Sequence, residues 1–588
     1  MSPARPVGGP PSGGQGDGRR SAPGWVRPVP TVGDRSTAAE RRADPTGWAF
    51  EPAAAAAVYD AITSRRDVRR FRPDAIDPEI VDRVLGAAHA APSVGHSQPW
   101  RFIVVGEPAT RERAASMADE QRHLQAAAME PEAGRQLLDL QLEGIREAPL
   151  GVVVCCDRRV PPTGVLGRAT FTDADMWSCA CAIQNLWLAA RAEGLGLGWV
   201  TLFPPDGLGV LLGLPEGVIP LGWLCLGWPD ERSPLPGLER FGWSQRLPVR
   251  DVVFHERWPQ DGQPPGPVSR LRAPGPTAVV AAHDEADELL TPPGSLGALD
   301  RATDRLAALG VREVTGDLTL AVGRHRLDDL GVSAFGSEVT AEILAAAIAG
   351  EAMGCVAARA GGLGVRVVDA GCSSGNLRDA DALSRVRVAE LIDLGRSVGG
   401  ASGGTVIAIG EVGIGNTTVA AALAALLLDV DAAETVGLGA GADATILQRK
   451  RDVVDAALGR ARRLHGDQLA TPRVALAALG GPEFAVMVGL VLGAAAAGKA
   501  IILDGLATTV SAALAVLDEP AAAAHLVAGQ RSRELAHARV LSRLGLEPLL
   551  DLRLRAGEGV GAVLATQLLR SAMQIRQETG RTVPGPLA

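Results

Sequence analysis

Residues 259–277, PQDGQPPGPVSRLRAPGPT, divide this chain of 588 residues into two halves whose apolar patterns differ. Such a stretch favours neither a helix nor an inner strand, because Pro lacks an amide donor and Gly loses the most backbone entropy on ordering. A chain this long also exceeds what a single core usually supports, so a folded domain is expected on each side. Residues 1–50, rich in Pro, Gly, Ser and Arg, predict a disordered leader with no apolar signal segment. The expected organisation is a leader over 1–50, domains over 51–258 and 278–588, and a linker over 259–277.

In the first half, Asp77 followed by Pro78 predicts a helix start, with Ile80, Val81, Val84, Leu85 and Ala88 forming its apolar stripe. Another helix is expected over 52–64, and helical regions over 109–147 and 174–193. Short strands are expected over 101–105, 151–156, 198–203 and 219–227, which makes an α+β domain. Beyond the linker, apolar runs at 318–322, 365–368, 405–409 and 501–503 each lead toward a Gly-rich turn and an Ala/Leu-rich helix. Strands apolar on both faces and alternating with helices predict an α/β domain with a mainly parallel sheet.

A net charge of -9 argues against a nucleic-acid partner, which would require a basic face. The longest apolar run, 484–498, is too short and too rich in Gly and Ala to span a bilayer, so it predicts a core helix and no membrane partner. The seven Cys lack C-x-x-C spacing and predict buried structural thiols, which suits a reducing cytoplasm.

Three segments carry chemistry. ITSRRDVRRF at 62–71 sets Arg65, Arg66 and Arg69 around Asp67. Clustered guanidinium groups can make bidentate bonds to a phosphate, each worth about 1.5–3 kcal/mol; the plainer reading is a solvated basic patch. GEVGIGNTT at 410–418 and RAGEGVGA, with Glu558, each place one carboxylate in backbone nearly bare of side chains. That setting suits a site that wraps a nucleotide and keeps a single base; the plainer reading is an exposed turn glutamate.

With APSVGHSQPW at 91–100, LEGIREAPL at 142–150 and CAIQNLWLAARAEGLGLGWVTLF at 181–203, the first half resembles the nitroreductase-like FMN-binding fold, and within it the 5,6-dimethylbenzimidazole synthase family. The resemblance implies that reduced FMN is a substrate, fragmented with O2 to dimethylbenzimidazole, with Asp67 taking a proton. Its three arginine neighbours are expected to keep Asp67 ionised. It also implies flavin contacts from Arg65, Arg66, Asp67, Val68, Arg69, Ser93, Leu142 and Thr201, the last replacing the family's usual Ser and counted with the catalytic residues. The helical region 109–147 would be the lid of the pocket. A separate flavin reductase would supply FMNH2.

The second half resembles the nicotinate-nucleotide:dimethylbenzimidazole phosphoribosyltransferase family. The matching segments are GVSAFGSEVT (331–340), GEVGIGNTT, GLGAGADA (437–444), GGPEFAVMVG (480–489), ILDGLATT (502–509), QRSRELAH (530–537) and LGLEPLLDLRLRAGEGVGA (544–562). The resemblance implies metal-free transfer of phosphoribose from nicotinate mononucleotide to the benzimidazole, giving α-ribazole phosphate. Glu558 would be the base and Glu411 a second carboxylate, with Gly413, Gly415, Asn416, Thr417 and Gly441 near the nucleotide phosphate. The chain departs from the family at Arg324 and Arg326, which flank His325 where Asp-His-Gly is usual, at Thr291 for Lys, and at Leu438 for Arg. The stretch 369–411 is shortened.

Together these imply a bifunctional, homodimeric, cytoplasmic enzyme of cobalamin lower-ligand synthesis. Two alternatives stay open: an NAD(P)H-dependent flavin or nitro reductase in the first half, and a non-catalytic binding or dimerising module in the second.

Overall fold

The computed structural model describes residues 25–26, 34–140, 142, 144–204, 206–256, 258, 270–439 and 443–583. They fall into two units, 46–261 and a second assembled from 1–45 with 262–588.

In the 46–261 unit, α1 (Pro52–Ser64) leads to β1 (Phe71–Arg72). Helix α2 (Pro78–His89) starts as expected, Asp77 accepting the Glu79 amide at 2.9 Å. Next come β2 (Trp100–Val105), α3 (Pro108–Ala127), α4 (Pro131–Asp139), β3 (Leu150–Asp157), α5 (Ala174–Ala192), β4 (Gly196–Val200) and β5 (Val218–Pro229). The strands pair antiparallel in the order β1-β5-β3-β2, with β4 alongside β5. Val152, Val154 and Leu224 face α2 and α5, while Val153, Cys155 and Trp223 face α3, so each strand serves two buried faces through its two-residue period. The helical region expected over 109–147 is corrected to two helices. Pro131 has no amide to continue the ladder, and residues 145–149 ahead of β3 are turn and bend. Cys181 is exposed rather than buried, as is Cys372 of the other unit.

The other unit is built on a parallel sheet of β6 (Gly316–Arg324), β7 (Gly364–Cys372), β8 (Val406–Val412), β9 (Ala500–Leu503) and β10 (Leu526–Ala528). Their order is β10-β9-β8-β6-β7, so the chain reverses its winding between β6 and β8. One face packs on α8 (Arg385–Ala401), α9 (Asn416–Leu428), α11 (Pro482–Ala496) and α12 (Leu506–Asp518). The other packs on α7 (Met353–Ala360) and α13 (Val560–Glu578). Helix α11 is buried along nearly its whole length, as its composition predicts. Residues 338–360 are apolar enough to cross a membrane by composition, but they form α6 (Glu338–Ala349) and α7, separated at Gly350, whose φ is 75°. Between α9 and α11 lies α10 (Ala444–His465).

Two boundaries shift. The linker is shorter than 259–277, because the Arg270 and Leu271 amides already donate to Glu519 (2.7 and 3.3 Å) and a helix begins at Pro276. The disordered leader is corrected over 34–50; the expectation for 1–24 and 27–33 lies outside the described residues. Thr37 and Glu40 form a reciprocal capping box on the helix Ala38–Ala43. Arg41 pairs with Asp287 at 3.2 Å, Arg42 with Asp284 at 3.1 Å, and Ala38 is buried. Trp25–Val26 pairs in parallel with Thr582–Val583. Exposed ion pairs contribute little individually and the cap about 1 kcal/mol, so deleting residues 1–45 should destabilise this unit by about 1–3 kcal/mol. Calorimetry should show its transition lowered by a few degrees while the transition of 46–261 stays in place.

Candidate active sites

In the first unit Asp67 lies in extended backbone between α1 and β1, where the Val68 amide donates to the Leu197 carbonyl at 2.9 Å. A Cβ on Gly198 would collide with the Val68 carbonyl oxygen, so the bare backbone there is what lets this segment lie against β4. One Asp67 oxygen accepts the Trp199 amide at 3.0 Å; the other is bonded to Arg69, whose Nη2 also donates to the Trp199 carbonyl at 2.9 Å. The arginines were expected to keep Asp67 ionised. Burial pushes its carboxyl above the ordinary range against the opposing pull of Arg69, the Trp199 amide and Arg65. Its side chain is still 39% exposed, to a cavity of about 980 Å³, so a ligand that fills the cavity and removes its water strengthens that push.

Arg65, Arg66, Asp67, Arg69 and Leu142 line this cavity. Arg65 stacks 4.7 Å from the Trp187 ring centre. The Arg66 guanidinium donates to the carbonyls of Ser233 (3.1 Å) and Pro234 (2.6 Å), so it pins the 231–246 wall. That wall adds Arg240 and Arg246, which the sequence reading missed. Val68 is buried beneath Gly196 and Gly198, Ser93 accepts the Gln98 amide at 3.1 Å, and Thr201 follows the end of β4; none of the three lines the cavity.

In the second unit a cavity of about 580 Å³ opens at the carboxyl ends of β8, β9 and β10, where open α/β sheets ordinarily hold ligands. Glu411, Gly413, Asn416, Thr417 and Glu558 line it, together with Asp504, Gln530, Arg533, Glu534 and Arg555. Gly415 caps α9 at φ 91° against Leu327, off the wall, and Gly441 lies outside the described residues. Glu558 sits in the turn Gly557-Glu558-Gly559, whose φ values of 64°, 54° and 73° are all left-handed. That conformation is strained for a glutamate and is held by its surroundings. Its Oε2 accepts the Gly354 amide at 2.9 Å, and its own amide donates to the Glu411 carbonyl at 3.3 Å.

Glu411 is bonded to Asn416, and burial next to Glu483 and Asp504 pushes its carboxyl up to about 8. It therefore holds its proton at neutral pH. An acid raised from 4.5 to about 8 binds that proton more tightly when folded, so its contribution to stability is intact below about pH 4.5 and is lost as pH rises to 8. Glu411→Gln should thus gain stability over the parent between about pH 5 and 8, by about 2–4 kcal/mol after allowing for cavity water. Denaturation midpoints at the two pH values test this, and a gain that does not change with pH contradicts it.

Behind Gly413, buried His325 bonds Glu483 at 2.6 Å. Arg324 pairs with Asp369 at 3.0 Å and Arg326 is exposed; neither departure touches the cavity. Leu438 does line it, and its carbonyl accepts from Lys450, which also donates to Thr417 at 3.0 Å. Asp504 follows β9 as Glu411 ends β8, a strand-to-turn-to-helix pattern visible in ILDGLATT.

An arginine-flanked carboxylate on an α+β scaffold, joined to an acidic cavity at the carboxyl ends of a parallel sheet, defines a fusion of two small-molecule enzymes. The Phosphoribosyltransferase family matches residues 271–582, and the Nitroreductase family matches 62–228. The 5,6-dimethylbenzimidazole synthase of Rhodospirillum rubrum is 43% identical over 34% of this chain and 96% of its own length. The nicotinate-nucleotide–dimethylbenzimidazole phosphoribosyltransferase of Sinorhizobium medicae is 37% identical over 51% of this chain and 89% of its own. The solved phosphoribosyltransferase of that name from Thermus thermophilus is 36% identical over 51% of this chain and 96% of its own, with a TM-score of 0.48. The chain belongs to the nitroreductase family through its first domain and to the phosphoribosyltransferase family through its second.

Proposed function

We propose that the first domain fragments reduced FMN with O2 to 5,6-dimethylbenzimidazole, and that the second transfers phosphoribose to that base from nicotinate mononucleotide, giving α-ribazole phosphate. The observation that carries the reading is that each cavity presents a carboxylate oriented by a backbone amide: Asp67 by Trp199 and Glu558 by Gly354.

The first cavity fits a flavin nucleotide in size and in its arginines. Reduced FMN supplies both the electrons for O2 and the carbon skeleton of the product. Arg65 and Arg69 favour the anionic ligand, Arg66 keeps the wall in place, and Asp67 receives a proton, its basicity raised by burial and its orientation fixed by Arg69.

In the second cavity Glu411 is mostly protonated at neutral pH, and Glu558, whose carboxylate is held by the Gly354 amide, takes the proton from the incoming imidazole nitrogen. Arg533 and Arg555 supply positive charge for the phosphate. Transfer without a metal is consistent with this donor set. The arginines at 324 and 326 lie off the wall, which favours an active transferase over a binding module. Delivery of FMNH2 by a separate reductase, assembly as a homodimer and a cytoplasmic location complete the reading.

Incubation with reduced FMN, O2 and nicotinate mononucleotide, resolved by mass, should show flavin consumed in step with α-ribazole phosphate formed. FMN that survives many turnovers intact would point to a reductase. Absence of nicotinate release when dimethylbenzimidazole is supplied would remove the second activity.

A further inference from the structure

Asp504 is buried, and a buried carboxylate is costly unless its oxygens are bonded. Here the donors are neutral and come from the end of the chain. Oδ1 accepts Gln530 Nε2 at 2.9 Å and the Ala562 amide at 3.3 Å, and the nearby Gly559 and Gly561 amides add to the pull that favours its charge against burial. These amides belong to the first turn of α13 and to the residue preceding it, and Gly559 is the last member of the left-handed turn around Glu558. Gly561 is part of the same device, because a Cβ there would run into Gln530 and Asp504. On its other side the turn meets Gly410 and Gly354, where a Cβ would collide with the Glu558-Gly559 backbone. Asp504 itself is anchored at the end of β9, its amide bonded to Thr508 at 3.0 Å.

We infer that Asp504 is a positioning residue for phosphoribosyl transfer: by accepting the Ala562 amide and closing, with Gln530, against Gly561 it holds the strained turn that aims Glu558 into the cavity. A left-handed glutamate relaxes unless its flanks are fixed, and a displacement of about 1 Å at a base costs on the order of 10²-fold in rate. This inference rests on the transferase reading only for its kinetic consequence; the grip on the turn stands apart from it.

The test uses the full chain with Asp504→Ala and the near-isosteric Asp504→Asn, which keeps one acceptor oxygen. Hydrogen exchange read by mass should show the amides of 559–562 losing protection in Asp504→Ala, and largely keeping it in Asp504→Asn, while β8 and α11 stay protected. In nicotinate release, Asp504→Ala should lower kcat by about 10²-fold with KM for nicotinate mononucleotide little changed, and Asp504→Asn should restore most of that loss. In a Glu558→Gln background neither change should lower kcat further, because the base being positioned is already gone. Unchanged protection at 559–562 would overturn the proposal, as would an undiminished kcat loss in the Glu558→Gln background. An inactive parent enzyme would refute the transferase reading and leave the exchange result to decide the grip on its own.

Discussion

Glu558→Gln should slow nicotinate release by about 10²–10⁴-fold while nicotinate mononucleotide still binds, the span expected when a positioned base is removed. The amide is nearly isosteric and still offers an oxygen to the Gly354 amide, so the turn should keep its shape. What it cannot do is accept a proton. Glu411 is the poorer base, since burial beside Glu483 and Asp504 raises its carboxyl to about 8 and keeps most of it protonated at neutral pH. Single-turnover kinetics with dimethylbenzimidazole supplied separate binding from chemistry. A rate within threefold of the parent would move the base elsewhere, with Asp504 the next carboxylate on the wall.

Asp67→Asn should keep FMN binding within a few-fold and lower dimethylbenzimidazole formation by at least about 10²-fold. An asparagine oxygen can still accept the Trp199 amide, and Arg65, Arg66 and Arg69 remain on the cavity wall. The expected product is unfragmented, reoxidised flavin, detectable by its absorbance and by mass. Formation of the benzimidazole at the parent rate would exclude Asp67 from proton transfer.

The fold was legible where one physical signal dominates. Asp77-Pro78 marks the start of α2, and the apolar strands alternating with helices announce the parallel sheet before any pairing is known. Pro131 was visible in a stretch otherwise read as continuous helix; its neighbours are good helix formers, and the break depends on one missing amide donor. The Thr37–Glu40 capping box was equally visible, but it follows a low-complexity stretch and becomes a helix by docking on the helix Pro276–Asp287 from more than two hundred residues away.

The sites divide in the same way. Asp67, Glu411 and Glu558 stand out because each charge sits among glycines or opposite charges in a short segment. Asp504, Arg533 and Arg555 come from three separate segments and converge only because β9, β10 and the turn before α13 end at one edge of the sheet. The upward push on the Asp67 carboxyl is not legible in the sequence, because local charge can be counted there, whereas desolvation depends on packing.

The docking of Trp25–Val26 and Ala38–Ala43 onto the far end of the polypeptide has a topological consequence. In sequence, residues 46–261 lie between the two segments that build the other unit. A cut between residues 259 and 269 therefore leaves 46–261 covalently bound to the docked segment 1–45, and that docking, worth about 1–3 kcal/mol, is too weak by itself to keep the fragments together at micromolar concentration.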